Sequence, residues 1–381
     1  MLDERVLTER LVRYDTSRPE ELVAAAGFVR GWLEARDIEV RGFELRGLPV
    51  LLAEVGGSPD EHPCVVFHGH LDVVPGLPAQ FEPRVEGDRL IGRGTYDMKG
   101  GLAAMLCAVK DLESQEDVCV RLVCVPDEES EELDLRATQE VVRRGFVGDF
   151  AITGEPTDLR IGVEAKGVLV MRIEVRGRSI HSSTPWLGDN AILKAFDVFR
   201  AIESMPFARE SSEMFDRPSI NLGRISGGDA LNKVPDLCQM AVDIRYLPGQ
   251  DPGEILSQVR EIPDIEVTRT FIFPPVTVRP DQPYVRALRE AVSRSIDGEV
   301  LSVGRDGASD ATAFLAAGIP AVEFGPIGGG HHGPDEWVSI TSLARYRRAL
   351  GDFVRALPVL LGQQPTDRSL KAIEGGIGQG G

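Results

Sequence analysis

Basic charge is scarce in this chain of 381 residues. It carries 42 lysines and arginines against 60 aspartates and glutamates, a formal charge of −18. A surface that acidic repels polyphosphate, which argues against nucleic acid and anionic membrane as partners. Small cationic molecules are mildly attracted instead. No apolar run approaches the roughly 18–20 residues of a membrane span. The opening MLDERVLTERLVRYD reads as a charged amphipathic helix and not as a signal peptide. A cytoplasmic protein is therefore expected. Cysteine is sparse and odd in number: Cys64, Cys107, Cys119, Cys124 and Cys238, with no CxxC pair and four of them in apolar runs. That argues against a disulfide framework and for buried reduced thiols. Histidine is nearly as rare. Five of the six (His68, His70, His181, His331, His332) stand beside glycine or serine, and this clustering is the first sign of chemistry.

What is present is an ordinary globular balance, 42% hydrophobic and 27% charged, in a chain longer than one typical core. The first half alternates strand-like and helix-like segments. Helices are expected at 22–35, 98–112 and 137–144, and strands at 64–67, 118–125 and 150–153. Such alternation predicts an α/β sheet with helices on both faces and ligands beyond the C-terminal ends of its strands. The character changes near Gly167. Strands at 168–176, 219–225, 239–246 and 265–273, with helices at 190–204 and 252–261, make a smaller α+β module. After Pro274 and Pro275 the first rhythm returns, with helices at 283–296, 310–317 and 342–361 and strands near Val300 and at 321–324. The expected division is a discontinuous catalytic domain, 1–167 and 280–362, interrupted by a lid at 168–279. The tail 363–381, ending GGIGQGG, reads as disordered.

Five motifs carry candidate chemistry. HGHLDVVP (68–75) follows an apolar strand, so His70 is placed to bind metal, with Asp72 two residues on to accept its other ring N–H. His68, inside the strand, is expected to pack. GRGTYDMKGG (92–101) lacks both the Gly-Lys-Ser/Thr of a phosphate loop and the third glycine of GxGxxG, and instead perches Asp97 among glycines ahead of a helix. CVPDEES (124–130) offers Glu128 and Glu129. Adjacent residues of extended chain face opposite ways, so one would ligate while the other takes a proton. A solvated acidic turn is the plainer reading, since more acids follow. ITGEPTD (152–158) offers Glu155, and GGGHHGPDEWV (328–338) offers two histidines. Each is weak alone. Together they place acids or imidazoles at five successive junctions, and two imidazoles with three carboxylates suit a two-zinc site in which one carboxylate bridges.

The order of these motifs resembles the M20 family of zinc aminoacylases and peptidases, nearest to its acetylornithine deacetylase and succinyl-diaminopimelate desuccinylase branch. The likeness spans essentially residues 1–361. It implies that His70 and Glu155 bind one zinc and Glu129 and His332 the other, with Asp97 as bridge. His332 is preferred over His331 because the family's histidine is followed by one residue and then Pro-Asp/Asn-Glu, here His332-Gly333-Pro334-Asp335-Glu336. By the same resemblance Glu128 is the general base and Asp72 orients His70. RGRSIHSSTPWLGDNAI resembles the segment in which a lid histidine, here His181, reaches the partner subunit's site. Arg245 in VDIRYLP resembles the arginine that pairs with the substrate carboxylate, and Asn232 in GDALNKVPD a lid asparagine near the substrate. One departure is the run SEELDLRATQ after the paired glutamates, where the family has a glycine-rich turn.

The implied enzyme is a homodimeric di-zinc hydrolase, with cobalt as a possible substitute, that removes an acyl group from an N-acyl amino acid. A dipeptidase or carboxypeptidase with the same site is the nearest alternative. A non-enzymatic metal-binding homologue is the alternative of another class. No GxSxG elbow is present for a serine hydrolase.

Overall fold

The computed structural model describes residues 3–130, 135–296 and 299–362. Residues 131–134 of the unusual acidic run and the tail from Gln363, expected to be disordered, lie outside the described residues.

The largest sheet has nine strands among the described residues. At its middle the Cys64–His70 strand pairs in parallel with Cys119–Val125 on one side and Phe150–Thr153 on the other. Phe150–Thr153 in turn pairs in parallel with Ala321–Glu323. All seven residues of CVVFHGH are buried, so both sheet faces are covered, as an unbroken apolar run requires. Antiparallel strands flank this parallel centre: Leu48–Gly56 on one side, Ile161–Ala165 on the other. The sheet is therefore mixed, within the α/β class read from the sequence.

The helix Gly100–Asp111 packs tightest, with its residues from Gly100 to Val109 buried. Its glycines permit this. A Cβ on Gly101 would lie 2.6 Å from the carbonyl oxygen of Gly154, so only glycine lets the helix start meet the loop that carries Glu155. The last helix, Ile340–Leu360, starts two residues before the expected point because the Ser339 hydroxyl caps it, accepting from Ser342 N–H at 3.1 Å. The strand expected near Val300 runs Ser302–Arg305 instead, parallel to Ile161–Ala165.

A separate four-stranded antiparallel sheet has the order Ser219–Gly227, Leu237–Tyr246, Gly167–Arg176, Ile265–Phe273. The alternation is clean on its two central strands. Leu169, Met171, Ile173, Met240, Val242 and Ile244 point to one face and form their own core with the helices Ala191–Glu203 and Pro252–Arg260. The opposite face carries the polar residues and is free to border a cleft. No helix among the described residues is long and apolar enough to cross a membrane.

The main core is anchored where the Phe150 ring stacks on Tyr284, centroids 5.2 Å apart, and tilts against Phe353. Phe150 is fully buried. Phe150→Ala should cost about 3–5 kcal/mol, the range for emptying an aromatic core site, measured by urea unfolding. A loss below about 1 kcal/mol would show that the site collapses without this ring.

Candidate metal centre

The Cys64–His70 strand ends on a fully buried imidazole. His70 Nδ1 lies 2.9 Å from the main-chain oxygen of Asp72, and its Nε2 lies 3.0 Å from Asp97 Oδ1 and 3.8 Å from Glu155 Oε1. The main-chain carbonyl thus shares the orienting expected of the Asp72 side chain, whose carboxylate lies 3.5 Å from the same nitrogen. That carboxylate has another task. It accepts the backbone N–H groups of Glu128 at 3.2 Å and Glu129 at 2.7 Å, fixing the loop after the neighbouring strand.

This corrects the expectation that the two glutamates face opposite ways. The chain there turns instead of running extended, and His70, Glu128 and Glu129 bring one ligand atom each within 4.8 Å of one another. Asp97 sits just ahead of the helix Gly100–Asp111, in a broken helical turn, Thr95–Lys99, with extended φ/ψ of −120° and 99°. Its amide and that of Tyr96 donate to Glu336 Oε1 at 3.1 and 3.0 Å, while Glu336 Oε2 receives Arg93 Nη1 at 2.8 Å. Arg93 and Glu336 are both buried. Sequence reasoning missed this pair. Both residues lay inside quoted motifs, but their contact spans 243 positions, and nothing local announces it.

The two oxygens of Asp97 face different partners. Oδ1 meets His70, whereas Oδ2 meets His331 and lies 3.3 Å from His332 Nε2. His332 also reaches Glu129 Oε1 at 2.9 Å, from a left-handed backbone with φ of 57° that non-glycine residues seldom adopt. Both histidines of the doublet therefore converge on Asp97, not His332 alone. His68 packs as expected: its Nε2 meets Thr138 Oγ1 at 2.8 Å, and Thr138 donates to Asp310. Burial pushes that imidazole down to about 4, so it stays neutral.

The electrostatics suit a cation. Burial, then the Asp97 charge, raises the Glu155 carboxyl well above its ordinary range, and burial pushes Glu128 up to about 8. Hydrogen bonds to Asp97 and Glu129 raise His332 to about 10. Burial opposes ionisation of Asp97, but hydrogen bonds from His331, His332 and His70 outweigh it and hold the carboxyl well down. The cluster thus retains protons on acids and imidazoles alike, which a divalent cation would displace. Glu155 Oε1 is buried without a hydrogen-bond partner. This donor set fits metal.

A cleft of about 1590 Å³ runs from Asp97, Glu129 and His332 to the helix-free face of the four-stranded sheet, reaching Arg245. The Arg245 fork is partly occupied, with Nε and Nη2 donating to Asp243 at 2.8 and 3.0 Å. His181 and Asn232 do not border this cleft. The His181 ring is exposed and meets Ser183 Oγ at 2.8 Å, and the Asn232 carbonyl accepts Ser182 N–H. The structure brings seven of the ten sequence-derived residues together around Asp97, leaves Arg245 on the far wall, and sets His181 and Asn232 outside.

The chain matches the model of peptidase family M20/M25/M40 over residues 66–356. It is 34% identical to the acetylornithine deacetylase of Myxococcus xanthus over 298 residues, covering 72% of this chain and 75% of that protein. It is 29% identical over 308 residues to the succinyl-diaminopimelate desuccinylase of Beijerinckia indica, covering 74% and 79%. Among solved structures, the M20 metallo-carboxypeptidase Sso-CP2 of Sulfolobus solfataricus superposes with a TM-score of 0.78 at 19% identity, over 94% of this chain and 100% of that one. With the motifs, the metal-ligand cluster and a family match over most of its length, the chain belongs to the M20 family of metal-dependent amide hydrolases.

Proposed function

We propose that the protein removes an acyl group from an N-acyl amino acid at a site holding two divalent ions, zinc in the native enzyme with cobalt as a working substitute. The observation that carries this reading is the position of Asp97, whose oxygens face His70 on one side and His332 on the other. A carboxylate so placed suits a bridge, with His70 and Glu155 completing one ion's ligands and Glu129 and His332 the other's. Bound metal would supply a Lewis acid for the acyl oxygen and a more acidic water. Glu128 is the proton carrier, taking a proton from the attacking water and delivering it to the leaving nitrogen. Asp72 holds Glu128 and Glu129 in place through their amides. Arg245 steadies the substrate carboxylate, with Nη1 the corner of its fork that Asp243 leaves open.

His181 acts in the partner's site of a homodimer, where it holds the developing oxyanion. Its exposure outside its own cleft supports this, as do the exposed apolar side chains on the segment that follows it in sequence, Trp186, Leu193 and Phe196. Asn232 is bonded to the residue after His181 and would travel with it. The lid is then the module from 168 to 279. Five free, buried cysteines support a cytoplasmic location. The breadth of the cleft, about 1590 Å³, favours a second reading, a dipeptidase or carboxypeptidase, because single small ligands usually fill about 300–1,000 Å³. A panel of N-acyl amino acids against dipeptides separates the two.

Glu128→Gln should lower kcat by about 10²–10⁴-fold or more with metal content unchanged, since it removes a proton carrier and not a ligand. Glu129→Gln should lose or weaken one ion, read by elemental analysis. If Glu129→Gln keeps full metal and Glu128→Gln loses it, the two roles are reversed.

The exchange of His181 has its own test. His181→Ala and Glu128→Ala should each be inactive, but a mixed dimer has one complete site if His181 acts in trans. Random subunit exchange should restore roughly a quarter of wild-type activity. Confirmed exchange without recovery would show that His181 acts on its own subunit or not at all.

A further inference from the structure

We propose that the cleft contains a second anion site, built from Arg172 and Arg224 on the four-stranded sheet, and that the substrate carries a carboxylate beyond the one that meets Arg245. The identity of the amide rests on the reading above; the anion site itself rests on the sheet.

Register places the site. Arg224 on the Ser219–Gly227 strand lies opposite Ala241, and Ala241 lies opposite Arg172. Arg269, on the far edge strand, lies opposite Arg172. One row across the sheet thus reads Arg, Ala, Arg, Arg. Its inward neighbours Met171, Met240 and Val242 are in the core beneath, so the row lies on the cleft face, and all four residues border the cleft. Both edge strands bulge at this level. The register slips between Leu222 and Arg224 on one edge and between Val267 and Arg269 on the other. Without the slips, Gly223 and Thr268 would occupy the row. Bulges re-aim side chains, and here each delivers an arginine to the same line.

The row gathers like charge on one face of the sheet, and like charges on neighbouring strands repel. The acids on this face are already engaged: both Asp243 oxygens hold Arg245, and Glu174 accepts Gln239 Nε2 at 2.8 Å. Arg305, elsewhere on the wall, is held by Glu323 at 2.8 Å. Among the described residues, the guanidinium groups of Arg172 and Arg224 have no hydrogen-bond or ion-pair partner. Their strands are two apart, about 9.5 Å, and only the small Ala241 side chain stands between. Two forks over a shallow trough suit a carboxylate, which accepts paired N–H donors. A chain with net charge −18 thereby presents a basic wall inside its cleft, where low-dielectric surroundings focus the field.

The extra carboxylate can belong to a dicarboxylic acyl group or to an acidic side chain, and substrate pairs distinguish them. Initial rates would be compared for N-succinyl- against N-acetyl-alanine, and for N-acetyl-glutamate against N-acetyl-leucine, using metal-loaded protein. Wild type should prefer the anionic member of one pair. The double variant Arg172→Met, Arg224→Met should lose about 10-fold or more in kcat/KM on that member, the scale of a charge-assisted hydrogen bond, and stay within about 2-fold on its neutral counterpart. The charge-keeping double variant Arg172→Lys, Arg224→Lys should retain part of the preference, which separates lost charge from a disturbed sheet. Calorimetry gives a readout independent of turnover: glutarate should bind wild type more tightly than butyrate, and the Met variant should erase that difference. If none of the amides is cleaved but the arginine-dependent glutarate preference holds, the anion site stands and the deacylase reading falls. If amides are cleaved with no arginine-dependent preference in either readout, the anion site is overturned and the deacylase reading stands.

Discussion

The site is organised around one buried carboxylate. Asp97 has partners on both of its oxygens, and that is possible only because its backbone is held from behind. Glu336 receives the Tyr96 and Asp97 amides on one oxygen and Arg93 on the other, all in the interior. An ion pair so deeply buried is a poor source of stability, since desolvation offsets most of its attraction. Its value lies in geometry. It ties the loop bearing His331 and His332 to the turn bearing Asp97, two segments that the chain separates widely. The account of metal binding depends on that tie.

The second constraint is charge crowding. Asp97, Glu128, Glu129 and Glu155 gather at the end of one central strand, where burial drives the Glu128 and Glu155 carboxyls upward. A protein tolerates this only when the group is used. Protons on Glu155 and His332 hold the cluster together until a cation replaces them. The opposite wall inverts the sign, with arginines along the four-stranded sheet. The cleft therefore has a negative floor that suits metal and a positive wall that suits an anionic substrate, inside a molecule whose net charge predicts neither.

Much of this was legible in the sequence because apolar strands that end in His or Glu are short, local patterns. CVVFHGH and CVRLVCVPDEE announce both the strand and the group at its end, and the structure sets His70, Glu128 and Glu129 together. The packing of His68 was legible for the same reason, as an interior strand position. What escaped depends on geometry that spacing does not encode. Asp72 also holds the neighbouring loop, because the chain turns after Val125. The extended backbone of Asp97 interrupts a helical turn. The Arg93–Glu336 pair closes over a long sequence distance. The arginine row depends on two bulges, and a bulge shifts the alternation by one residue without leaving a clear mark in composition.

The central claim is that Asp97 joins two ions in one site, and the count of metal per chain tests it most directly. Protein dialysed against metal-free buffer and titrated with Zn²⁺ or Co²⁺ should gain activity up to two ions per chain, measured by elemental analysis alongside turnover. Asp97→Asn should lower the affinity for both ions together, since the lost charge is shared. Full activity at one ion per chain, with no gain on adding more, would contradict the account.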